Sequence, residues 1–334
     1  MDLNEFRQDL VSGDWVLFAT GRAKRPHATE KVDLVENYSE LENQCPFDDP
    51  RATGQEIISE YKKNNGELWL TVMTNKYPAV APGVCMPIET SGPFSHTVAN
   101  GFHEVLATRD HERALPDFST EETIILLKAY RERYLEISKQ ECGEYIQIFH
   151  NHGKKAGASV SHPHSQIMST PILPPVVARS VNGSAEFYRQ HQKKVHDVMI
   201  EWEVEQKKRI IFENDLFIAF CPFASKRPYE IRIFPKISNA RFETIGESGL
   251  KDCAETLNFC LGRLNKVFAG KLNFNFFIHT APIRESLELP CSEFYHWHIE
   301  LLPHYSNLAG FDFSTGIIVN VIDPDQAAEE LRNA

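Results

Sequence analysis

Two stretches of the chain carry apolar residues at the three-and-four spacing of an amphipathic helix. In residues 119–140 the apolar stripe consists of Ile124, Leu127, Tyr134 and Ile137. In residues 250–268 it consists of Leu250, Ala254, Leu257, Leu261 and Leu264. Ser119 and Glu122 have the spacing of a capping box, so the first helix is expected to begin at this pair. The pattern therefore predicts two long helices that each pack one face against a core.

Runs with the character of β-strands flank both helices. The first helix is preceded by "FHEVLATRDH" and followed by "YIQIFHNHG" and then "HPHSQI". The second helix has the same order of neighbours, which are "PYEIRIFPK", "NFNFFIHTAP" and "HWHIELLP". This repetition predicts a duplicated α+β fold with halves at residues 1–180 and 181–334. A single sheet with two coincidental His-x-His pairs is the alternative interpretation.

Residues 184–208 are mostly polar and predict a long helix between the halves.

Composition and charge narrow the classes of function. With a net charge of −11 and no apolar run that could cross a bilayer, we expect neither a nucleic-acid nor a membrane partner. The N-terminal residues have no basic start followed by an apolar run, so a signal peptide is not expected. The seven cysteines lack the spacing of a disulfide framework, so most are expected to be core residues of a cytoplasmic protein.

The strand that begins "HPHSQ" concentrates the residues with the most chemistry. His162 and His164 would point to the same face of an extended strand, and so would Gln166. An imidazole can attack phosphorus and leave again, so a histidine here can carry a nucleotidyl group while Gln166 hydrogen-bonds a phosphoryl oxygen. Because Pro163 has no N–H, this strand is expected at an edge or an opening of the sheet.

The residues that precede the two histidines suit an anionic ligand. Gly157, Ala158 and Ser159 are small, and small residues let backbone N–H groups approach a phosphate closely. Arg22 and Arg25 stand in the basic run "GRAKRPH", and a guanidinium binds phosphate through two parallel hydrogen bonds. A solvated basic loop is the alternative interpretation of this run.

Metal binding is a second interpretation of the histidines. Cys45, His111 and His162, completed by a carboxylate or a thiolate, form one candidate set. In "CPFDDP", Asp48 stands where a second cysteine would complete a Cys-x-x-Cys pair, and such a segment can equally be a plain loop.

Another histidine group occurs in the second half of the chain. His279, His296 and His298 could hold zinc or iron together with a carboxylate. They could equally be the remnant of an active site that the second copy has lost.

Several motifs, taken in order, resemble those of one family. The chain resembles the galactose-1-phosphate uridylyltransferase family of the histidine-triad superfamily in "GRAKRP", "CPF", "TNKYPA", "RDH", "HPHSQ" and "HWHIELLP", with Asn151 six residues before "GAS". The similarity runs from about Asp9 to "DPDQAAEELR", which is nearly the whole chain. It implies two histidine-triad-like halves, each a mainly antiparallel sheet with helices packed on it.

The resemblance also implies a reaction. His164 would take a nucleoside monophosphate from a nucleotide sugar, release a sugar 1-phosphate, and pass the nucleotide to a second sugar 1-phosphate or to phosphate in a ping-pong cycle. Ser159 and Gln166 would hold the phosphoryl oxygens, and Arg22 and Arg25 would lie near the acceptor phosphate.

Further implied roles concern the nucleoside, the metal and the assembly. Asn75, Tyr77 and Asn151 would contact the nucleoside, together with Gly157 in the adjacent loop. The implied ligands of a structural zinc ion are Cys45, Asp48, His111 and His162. The family is typically a homodimer whose sugar site is completed across the subunit interface.

Three positions depart from the family pattern. Asp48 replaces the second zinc cysteine, and Ser180 stands near the glutamate of the family's second metal site, so that Glu186 or Glu300 would have to supply a carboxylate there. The segment "AGFDFSTGIIVNV" resembles the ADP-sugar phosphorylase branch more than the best-known uridylyltransferases. Transfer to a sugar 1-phosphate is the leading hypothesis, with an ADP-sugar phosphorylase, a nucleotide hydrolase and an inactive nucleotide-binding protein as the alternatives.

Overall fold

The computed structural model describes residues 4–24, 45–285 and 288–334. In these ranges the strands are β1 (Asn4–Gln8), β2 (Trp15–Ala19), β3 (Ile57–Lys62), β4 (Leu68–Thr74), β5 (Glu89–Ser91), β6 (Phe94–His96), β7 (His103–Thr108), β8 (Tyr145–His152), β9 (His164–Thr170), β10 (Ile210–Glu213), β11 (Phe217–Phe220), β12 (Ile231–Pro235), β13 (Phe274–His279), β14 (His298–Pro303) and β15 (Ile318–Asn320). The helices are α1 (Thr120–Ser138), α2 (Pro175–His191), α3 (Val195–Gln206), α4 (Glu247–Val267), α5 (Cys291–Phe294), α6 (Gly310–Thr315) and α7 (Pro324–Asn333).

One antiparallel sheet of ten strands contains the duplication. Its order is β10-β11-β12-β14-β13-β8-β9-β7-β4-β3, and β13 pairs with β8 at the centre, where Phe277 lies opposite Phe149. Outward from this centre, β8, β9, β7, β4 and β3 follow the same sequence of connections as β13, β14, β12, β11 and β10. The predicted α+β duplication is confirmed, and the two halves share one continuous sheet. The predicted domain boundary at residue 180 falls within α2.

The two predicted long helices lie on one face of this sheet. Helix α1 begins with the expected capping box, in which Ser119 accepts the backbone N–H of Glu122 and Glu122 accepts that of Ser119. Leu127, Tyr134 and Ile137 are buried, as are all five predicted stripe residues of α4. The main core therefore lies between the sheet and the pair α1 and α4, which pack against each other.

The predicted connecting helix over residues 184–208 is wrong in its length. The structure has two helices here, α2 and α3, which are separated by a break at residues 192–194. Gln192 adopts a left-handed conformation with φ of 53° and donates its N–H to the carbonyl of Tyr188, which ends α2. The break separates α2 from α3, and α2 buries Val181 and Ala185 in a second apolar cluster.

Of the two positions expected for the His-x-His strand, an edge or an opening of the sheet, the edge is wrong. Strand β9 is internal and pairs with β8 on one side and β7 on the other. Pro163 immediately precedes β9, and its carbonyl accepts the N–H of Thr108 at 3.3 Å. The missing N–H of proline therefore falls at the end of the strand, where it interrupts no ladder within the sheet.

The cysteines correct a further expectation. Cys85 and Cys142 form a disulfide with Cα atoms 5.2 Å apart, although 57 residues separate them in sequence. Tertiary folding brings the loop before β5 to the segment that follows α1, so local spacing could not indicate the pair. Four cysteines are buried core residues as expected, namely Cys221, Cys253, Cys260 and Cys291.

Two smaller sheets complete the described part of the chain. Strands β1, β2 and β15 form one of them, with β15 parallel to β2. The β5–β6 hairpin forms the other, and all six of its residues are exposed. No helix in the described ranges combines the length and the apolar character needed to cross a membrane.

Candidate active site

Both histidines of the "HPH" motif lie on one face of the central sheet. Phe47 contacts both rings, with its centroid 5.8 Å from that of His162 and 4.9 Å from that of His164. His162 is the last residue but one before β9, and His164 is the first residue of the strand. The prediction that the two side chains share a face is confirmed.

Hydrogen bonding gives the two nitrogens of His164 different roles. Nδ1 lies 2.9 Å from the carbonyl oxygen of His162. Because a carbonyl oxygen only accepts, the ring proton is on Nδ1, and Nε2 keeps its lone pair. The ring is 8% exposed, and burial lowers the pKa of His164, so it is neutral at neutral pH. This is the tautomer that a nucleophilic histidine requires.

Gln166 is the next residue of β9 on the same face, and it contacts a histidine that sequence reasoning missed. Its Oε1 lies 2.8 Å from Nε2 of His103, the first residue of β7. Nδ1 of His103 accepts the backbone N–H of Ala79 at 3.1 Å. His103 occurs within the correctly predicted strand "FHEVLATRDH", and an alternation count from the buried Val105 would have placed it on the site face.

Asn75 belongs to the same group of side chains. Its Nδ2 lies 3.1 Å from Nε2 of His103, and its Oδ1 accepts the backbone N–H of Tyr77 at 2.9 Å. The Tyr77 side chain is 81% exposed. His103 therefore lies between Asn75 and Gln166, and the exposed Tyr77 extends outward from this group.

Asn151 reaches the site from the neighbouring strand β8. His150 lies opposite Ser165 in the β8–β9 ladder, so Asn151, one residue further along, faces the same side as His164. The amide Nδ2 of Asn275 donates to Oδ1 of Asn151 at 2.8 Å and to the carbonyl of Ala156 at 2.9 Å. The second half of the chain thus supports a residue of the first half.

His304 fixes the orientation of Asn275 in turn. Nε2 of His304 donates to Oδ1 of Asn275 at 2.6 Å, which directs the amide nitrogen toward Asn151. Burial, with the charges of Arg227 and Lys155, lowers the pKa of His304 to about 4. Neither Asn275 nor His304 could be assigned from sequence, because their roles depend on the β8–β13 pairing at the centre of the sheet.

The loop between β8 and β9 holds the predicted small residues. Gly157 has φ of 86°, a conformation that favours glycine, and a Cβ there would meet no atom within 4 Å. Ser159 is exposed in the same loop. Gly157 and Ser159 therefore lie on the accessible approach to β9.

The two predicted arginines are less well defined. Arg22 is exposed in a short 3-10 turn, Thr20–Lys24, that follows β2. Arg25 lies outside the described residues. The role of both arginines stays a prediction.

Four side chains converge beside His164 in a group that could hold a metal ion. The candidate ligand atoms of Cys45, Asp48, His111 and His162 all lie within 4.8 Å of one another. Nδ1 of His162 is 3.5 Å from the Cys45 sulfur, 3.1 Å from Nδ1 of His111 and 3.2 Å from Oδ1 of Asp48. A tetrahedral zinc ion sets its ligand atoms roughly 3.3–3.8 Å apart, so the donor set fits this ion.

The orientation of His162 supports the same conclusion. Its Nε2 donates to the carbonyl of Thr108 at 2.6 Å, which leaves the lone pair of Nδ1 directed into the four-residue group. Nη1 of Arg109 donates to the backbone carbonyl of Asp48 at 2.9 Å and holds the loop that bears this carboxylate. The Asp48 carboxylate therefore lies within the four-residue group, at the position where the family pattern has a cysteine.

The second half repeats the histidine geometry. Nε2 of His296 donates to the carbonyl of Pro235 at 2.9 Å, and Nδ1 of His298 lies 3.3 Å from the carbonyl of His296. His279 lies 3.0 Å from Glu300 through Nε2 and Oε2, respectively. His298 also stacks on Phe234 with ring centroids 4.7 Å apart.

Charged side chains fill the space beside these histidines. Arg232 lies 3.2 Å from a carboxylate oxygen of each of Asp9, Glu230 and Glu300. Burial opposes ionisation of Glu300, but the bond from His279 and the Arg232 charge hold the pKa of this carboxyl well below its usual range. Burial raises the pKa of Glu230 to about 8.

This arrangement bears on the predicted second metal site. Among the described residues, the group around Cys45 is the one set in which three or more such ligand atoms converge, so His279, His296 and His298 form no comparable set. Ser180 lies 3.5 Å from the Tyr295 hydroxyl, and exposed Glu186 bonds to its own helix neighbours. Both carboxylate oxygens of Glu300 are engaged, Oε1 by Arg232 and Oε2 by His279, so neither is free to bind a metal ion.

Family models match both halves of the chain. A model of the galactose-1-phosphate uridyl transferase N-terminal domain matches residues 2–174. A model of a domain of unknown function matches residues 106–334. The first match covers more than half of the chain and includes every residue around His164 that the site needs from the first half.

Curated relatives and solved structures extend across the whole chain. An ADP-glucose phosphorylase of Arabidopsis thaliana is 31% identical over 98% of this chain and 92% of its own, and a galactose-1-phosphate uridylyltransferase of Thermotoga maritima is 27% identical over 98% of each. The crystal structure of an Arabidopsis thaliana ADP-glucose phosphorylase with bound ADP-glucose superimposes with a TM-score of 0.83, 28% identity and 99% coverage of both chains. A uridylyltransferase structure gives a TM-score of 0.75 with 25% identity, 98% coverage of this chain and 97% of the other. The chain belongs to the galactose-1-phosphate uridyl transferase family.

Proposed function

We propose that this nucleotidyltransferase moves a nucleoside monophosphate between a nucleotide sugar and a sugar 1-phosphate through a covalent nucleotidyl-His164. One observation carries the proposal. His164 is neutral, its Nδ1 proton is bound to the His162 carbonyl, and its Nε2 lone pair is left free for attack. Gln166 on the same strand face can reach the oxygens of the phosphoryl group that His164 attacks.

The first half-reaction forms the covalent intermediate. The Nε2 lone pair of His164 attacks the α-phosphorus of the nucleotide sugar, and the bond from this phosphorus to the bridging oxygen breaks. The sugar 1-phosphate leaves with that electron pair. As Nε2 becomes bonded, positive charge develops on the ring, and the Nδ1–H bond to the His162 carbonyl stabilises it. Gln166 and Ser159 would donate to the non-bridging oxygens.

The second half-reaction reverses these steps with a new acceptor. A phosphate oxygen of another sugar 1-phosphate attacks the nucleotidyl phosphorus, and the N–P bond breaks so that its electrons return to Nε2. Arg22 and Arg25 would neutralise the acceptor phosphate. Asn75, Tyr77, Asn151 and Gly157 would contact the nucleoside, and the contacts of Asn75 and Asn151 around the site support this assignment.

A zinc ion would be held by Cys45, Asp48, His111 and His162. The fit of the donor distances and the tautomer of His162 support this assignment. Bound there, zinc would supply structural bracing between the loop of Cys45 and the start of β9. His162 would then have a supporting role, because it fixes the backbone carbonyl that orients His164.

The identity of the nucleotide has two candidates. A hexose-1-phosphate uridylyltransferase is the first, and the similarity to the Thermotoga maritima enzyme supports it. An ADP-sugar phosphorylase, which uses phosphate as acceptor, is the second. It is supported by the 31% identity to the Arabidopsis thaliana enzyme and by the "GFDFSTG" segment, which forms α6 and the glycine after it.

A homodimer would suit the exposed apolar residues of the segment around the β5–β6 hairpin. Met86, Ile88 and Phe94 there are exposed by 46%, 63% and 74%. A second copy of the chain would remove these side chains from water. Light scattering coupled to size-exclusion chromatography should give twice the chain mass, and Ile88→Glu with Phe94→Glu should lower it to one chain.

Substrate is tested by a matrix of donors and acceptors. UDP-glucose and ADP-glucose are each combined with galactose 1-phosphate, phosphate or no acceptor, and release of glucose 1-phosphate is measured. Turnover with UDP-glucose and galactose 1-phosphate supports the first candidate, and turnover with ADP-glucose and phosphate supports the second. Release of free nucleoside monophosphate without an acceptor supports a hydrolase, and no release from any donor contradicts the proposed function.

A further inference from the structure

His103 is bound between the loop after β4 and the candidate phosphoryl-binding residue of β9. The backbone N–H of Ala79 donates to Nδ1 of His103 at 3.1 Å. On the opposite side of the ring, Nε2 lies 2.8 Å from Oε1 of Gln166. The residue contacts neither His164 nor the candidate metal ligands through a described hydrogen bond. Among the described hydrogen bonds, the side chain of β9 that His103 contacts is that of Gln166.

The backbone donor determines the protonation of this histidine. A peptide N–H only donates, so Nδ1 of His103 must carry the lone pair. The neutral ring then carries its proton on Nε2. Nδ2 of Asn75, 3.1 Å from Nε2, is itself an N–H donor and cannot accept this proton, so the acceptor is Oε1 of Gln166.

The same reasoning determines which way the Gln166 amide is turned. Only the amide oxygen can accept from the Nε2–H of His103, so the amide nitrogen must point away from His103. Nitrogen is the end of the amide that donates to a phosphoryl oxygen. If the amide rotated by half a turn, its oxygen would face the phosphate and its nitrogen would face another donor, and both contacts would be repulsive.

The register of the strands explains how the contact arises. Val105 lies opposite Gln166 in the β7–β9 ladder, so His103, two residues earlier, is the diagonal neighbour of Gln166 on the same face. In the second half, Arg232 lies opposite Glu300, and Glu230 occupies the position of His103. There, Glu230 and Glu300 both bind Arg232. The diagonal pair is thus a histidine and an amide in the first half, whereas in the second half it is two carboxyl groups that share one guanidinium.

The geometry points to His103 as the positioning residue that presents the Gln166 amide nitrogen to the transferred phosphoryl group. This inference rests on the proposed function, since it needs a phosphoryl group at Gln166. His103 has no bond to form or break in the reaction. Its contribution is to hold the Gln166 amide in one of its two orientations. This lowers the free-energy cost of ordering the Gln166 side chain as charge develops on the phosphoryl oxygens.

Two substitutions at His103 separate its two hydrogen bonds. The amide oxygen of asparagine in His103→Asn reaches the position of Nδ1, so this variant retains the Ala79 bond and loses the Gln166 bond. The amide nitrogen of glutamine in His103→Gln reaches the position of Nε2, so this variant retains the donor to Gln166. Both are compared in the full-length protein with Gln166→Ala and with the double variant His103→Asn, Gln166→Ala. Thermal unfolding of each variant is recorded first.

Single-turnover formation of nucleotidyl-His164 from α-³²P-labelled UDP-glucose and ADP-glucose is the readout. We expect His103→Asn to slow it about tenfold to a hundredfold. The KM for the nucleotide sugar should change less than about threefold, because the orientation of Gln166 matters most in the transition state. His103→Gln should lie within about threefold of the wild-type rate. In the Gln166→Ala background, His103→Asn should have less than about a twofold further effect, because the residue acts through Gln166.

Three results would overturn the inference. They are an unchanged rate in His103→Asn, effects of His103→Asn and Gln166→Ala that multiply in the double variant, and an equal defect in His103→Gln and His103→Asn, which would show that a retained donor to Gln166 does not preserve the rate. If His103→Asn does not fold, the inference is tested by the rates of His103→Gln and Gln166→Ala. A rate of His103→Gln as low as that of Gln166→Ala would then overturn it. Failure of the wild-type protein to take label is a different outcome, since it overturns the proposed function and this inference with it.

Discussion

The carbonyl oxygen of His162 lies 2.9 Å from Nδ1 of His164, so the residue that faces the candidate metal group also sets the tautomer of the candidate nucleophile. The second half repeats this relationship between His296 and His298 at 3.3 Å. The surroundings differ, because Gln166 lies beside His164 whereas Glu300 and Arg232 lie beside His298. The duplication has therefore preserved a local geometry in both halves, while a neutral amide lies beside the histidine in the first half and an ion pair lies beside it in the second.

Metal binding should depend on all four residues of the candidate group. The purified protein is expected to contain about one zinc ion per chain, and Cys45→Ser and Asp48→Ala should each lower zinc affinity tenfold or more. Asp48→Cys restores a Cys-x-x-Cys pair and should retain the metal. Mass-spectrometric metal analysis after dialysis against a chelator measures the zinc content of each variant. Unchanged zinc content in both Cys45→Ser and Asp48→Ala would show that the site is assigned wrongly.

Glu122 should contribute pH-dependent stability at the start of α1. Its carboxylate binds Arg113 at 2.7 Å and Lys63 at 2.9 Å and completes the capping box. Burial opposes its ionisation, but the bonds from Arg113 and Lys63 outweigh burial and lower the pKa of Glu122 to about 2, from 4.5. A carboxyl whose pKa is lower in the folded state adds stability above pH 4.5, and this contribution is lost as the pH falls toward 2.

Glu122→Gln should therefore lower the free energy of unfolding by about 2 kcal/mol at pH 7. The difference from wild type should shrink below pH 4.5. The control is Glu255→Gln, which removes an exposed pair with Lys251 at 3.7 Å and should cost less than about 0.5 kcal/mol. Urea unfolding at pH 7, 4.5 and 3 measures both variants. A pH-independent difference would contradict the assignment.

Arg232 should matter for stability and not for the chemistry at His164. Arg232→Met leaves Asp9, Glu230 and Glu300 buried without their shared cation, so the free energy of unfolding should fall by about 3–5 kcal/mol. Under conditions where the variant stays folded, its rate of nucleotidyl-histidine formation should remain within about twofold of wild type. A loss below 1 kcal/mol, or loss of label in the folded variant, would contradict this division between the halves.

Asn275 should affect nucleotide binding from the second half of the chain. Asn275→Ala removes the donor that orients Asn151 and the Ala156 carbonyl, so the KM for the nucleotide sugar should rise about tenfold with a smaller change in kcat. Asn258→Ala is the matched control, because Asn258 bonds to Thr123 and to the Phe118 carbonyl away from the site. Equal KM values in both variants would contradict the proposed effect of Asn275 on nucleotide binding.

Local patterns in the sequence carried much of the fold. The capping box of α1, the apolar stripes and the repeated order of strands were readable because each depends on residues a few positions apart. The break at Gln192 was not readable, because it requires a left-handed residue that is neither glycine nor asparagine. The Cys85–Cys142 disulfide depends on tertiary proximity across 57 residues.

The candidate site also contains residues that local motifs indicated and residues that depend on tertiary pairing. Motif spacing indicated His162, His164 and Gln166, which are neighbours on one strand. Cys45 and His111 could be named because they belong to the recognisable motifs "CPF" and "RDH", although these lie in distant segments. His103 and Asn275 were missed, because their contacts depend on the β7–β9 register and on the β13–β8 pairing, respectively.

The central claim is that His164 carries the nucleotide covalently. The protein is incubated with α-³²P-labelled UDP-glucose or ADP-glucose without acceptor, denatured, and mapped by peptide mass spectrometry. Label on His164 that resists alkali and is released by acid is expected, with none on His164→Asn and retained label on His298→Asn. Absence of label with both donors, or label that persists in His164→Asn, would contradict the claim.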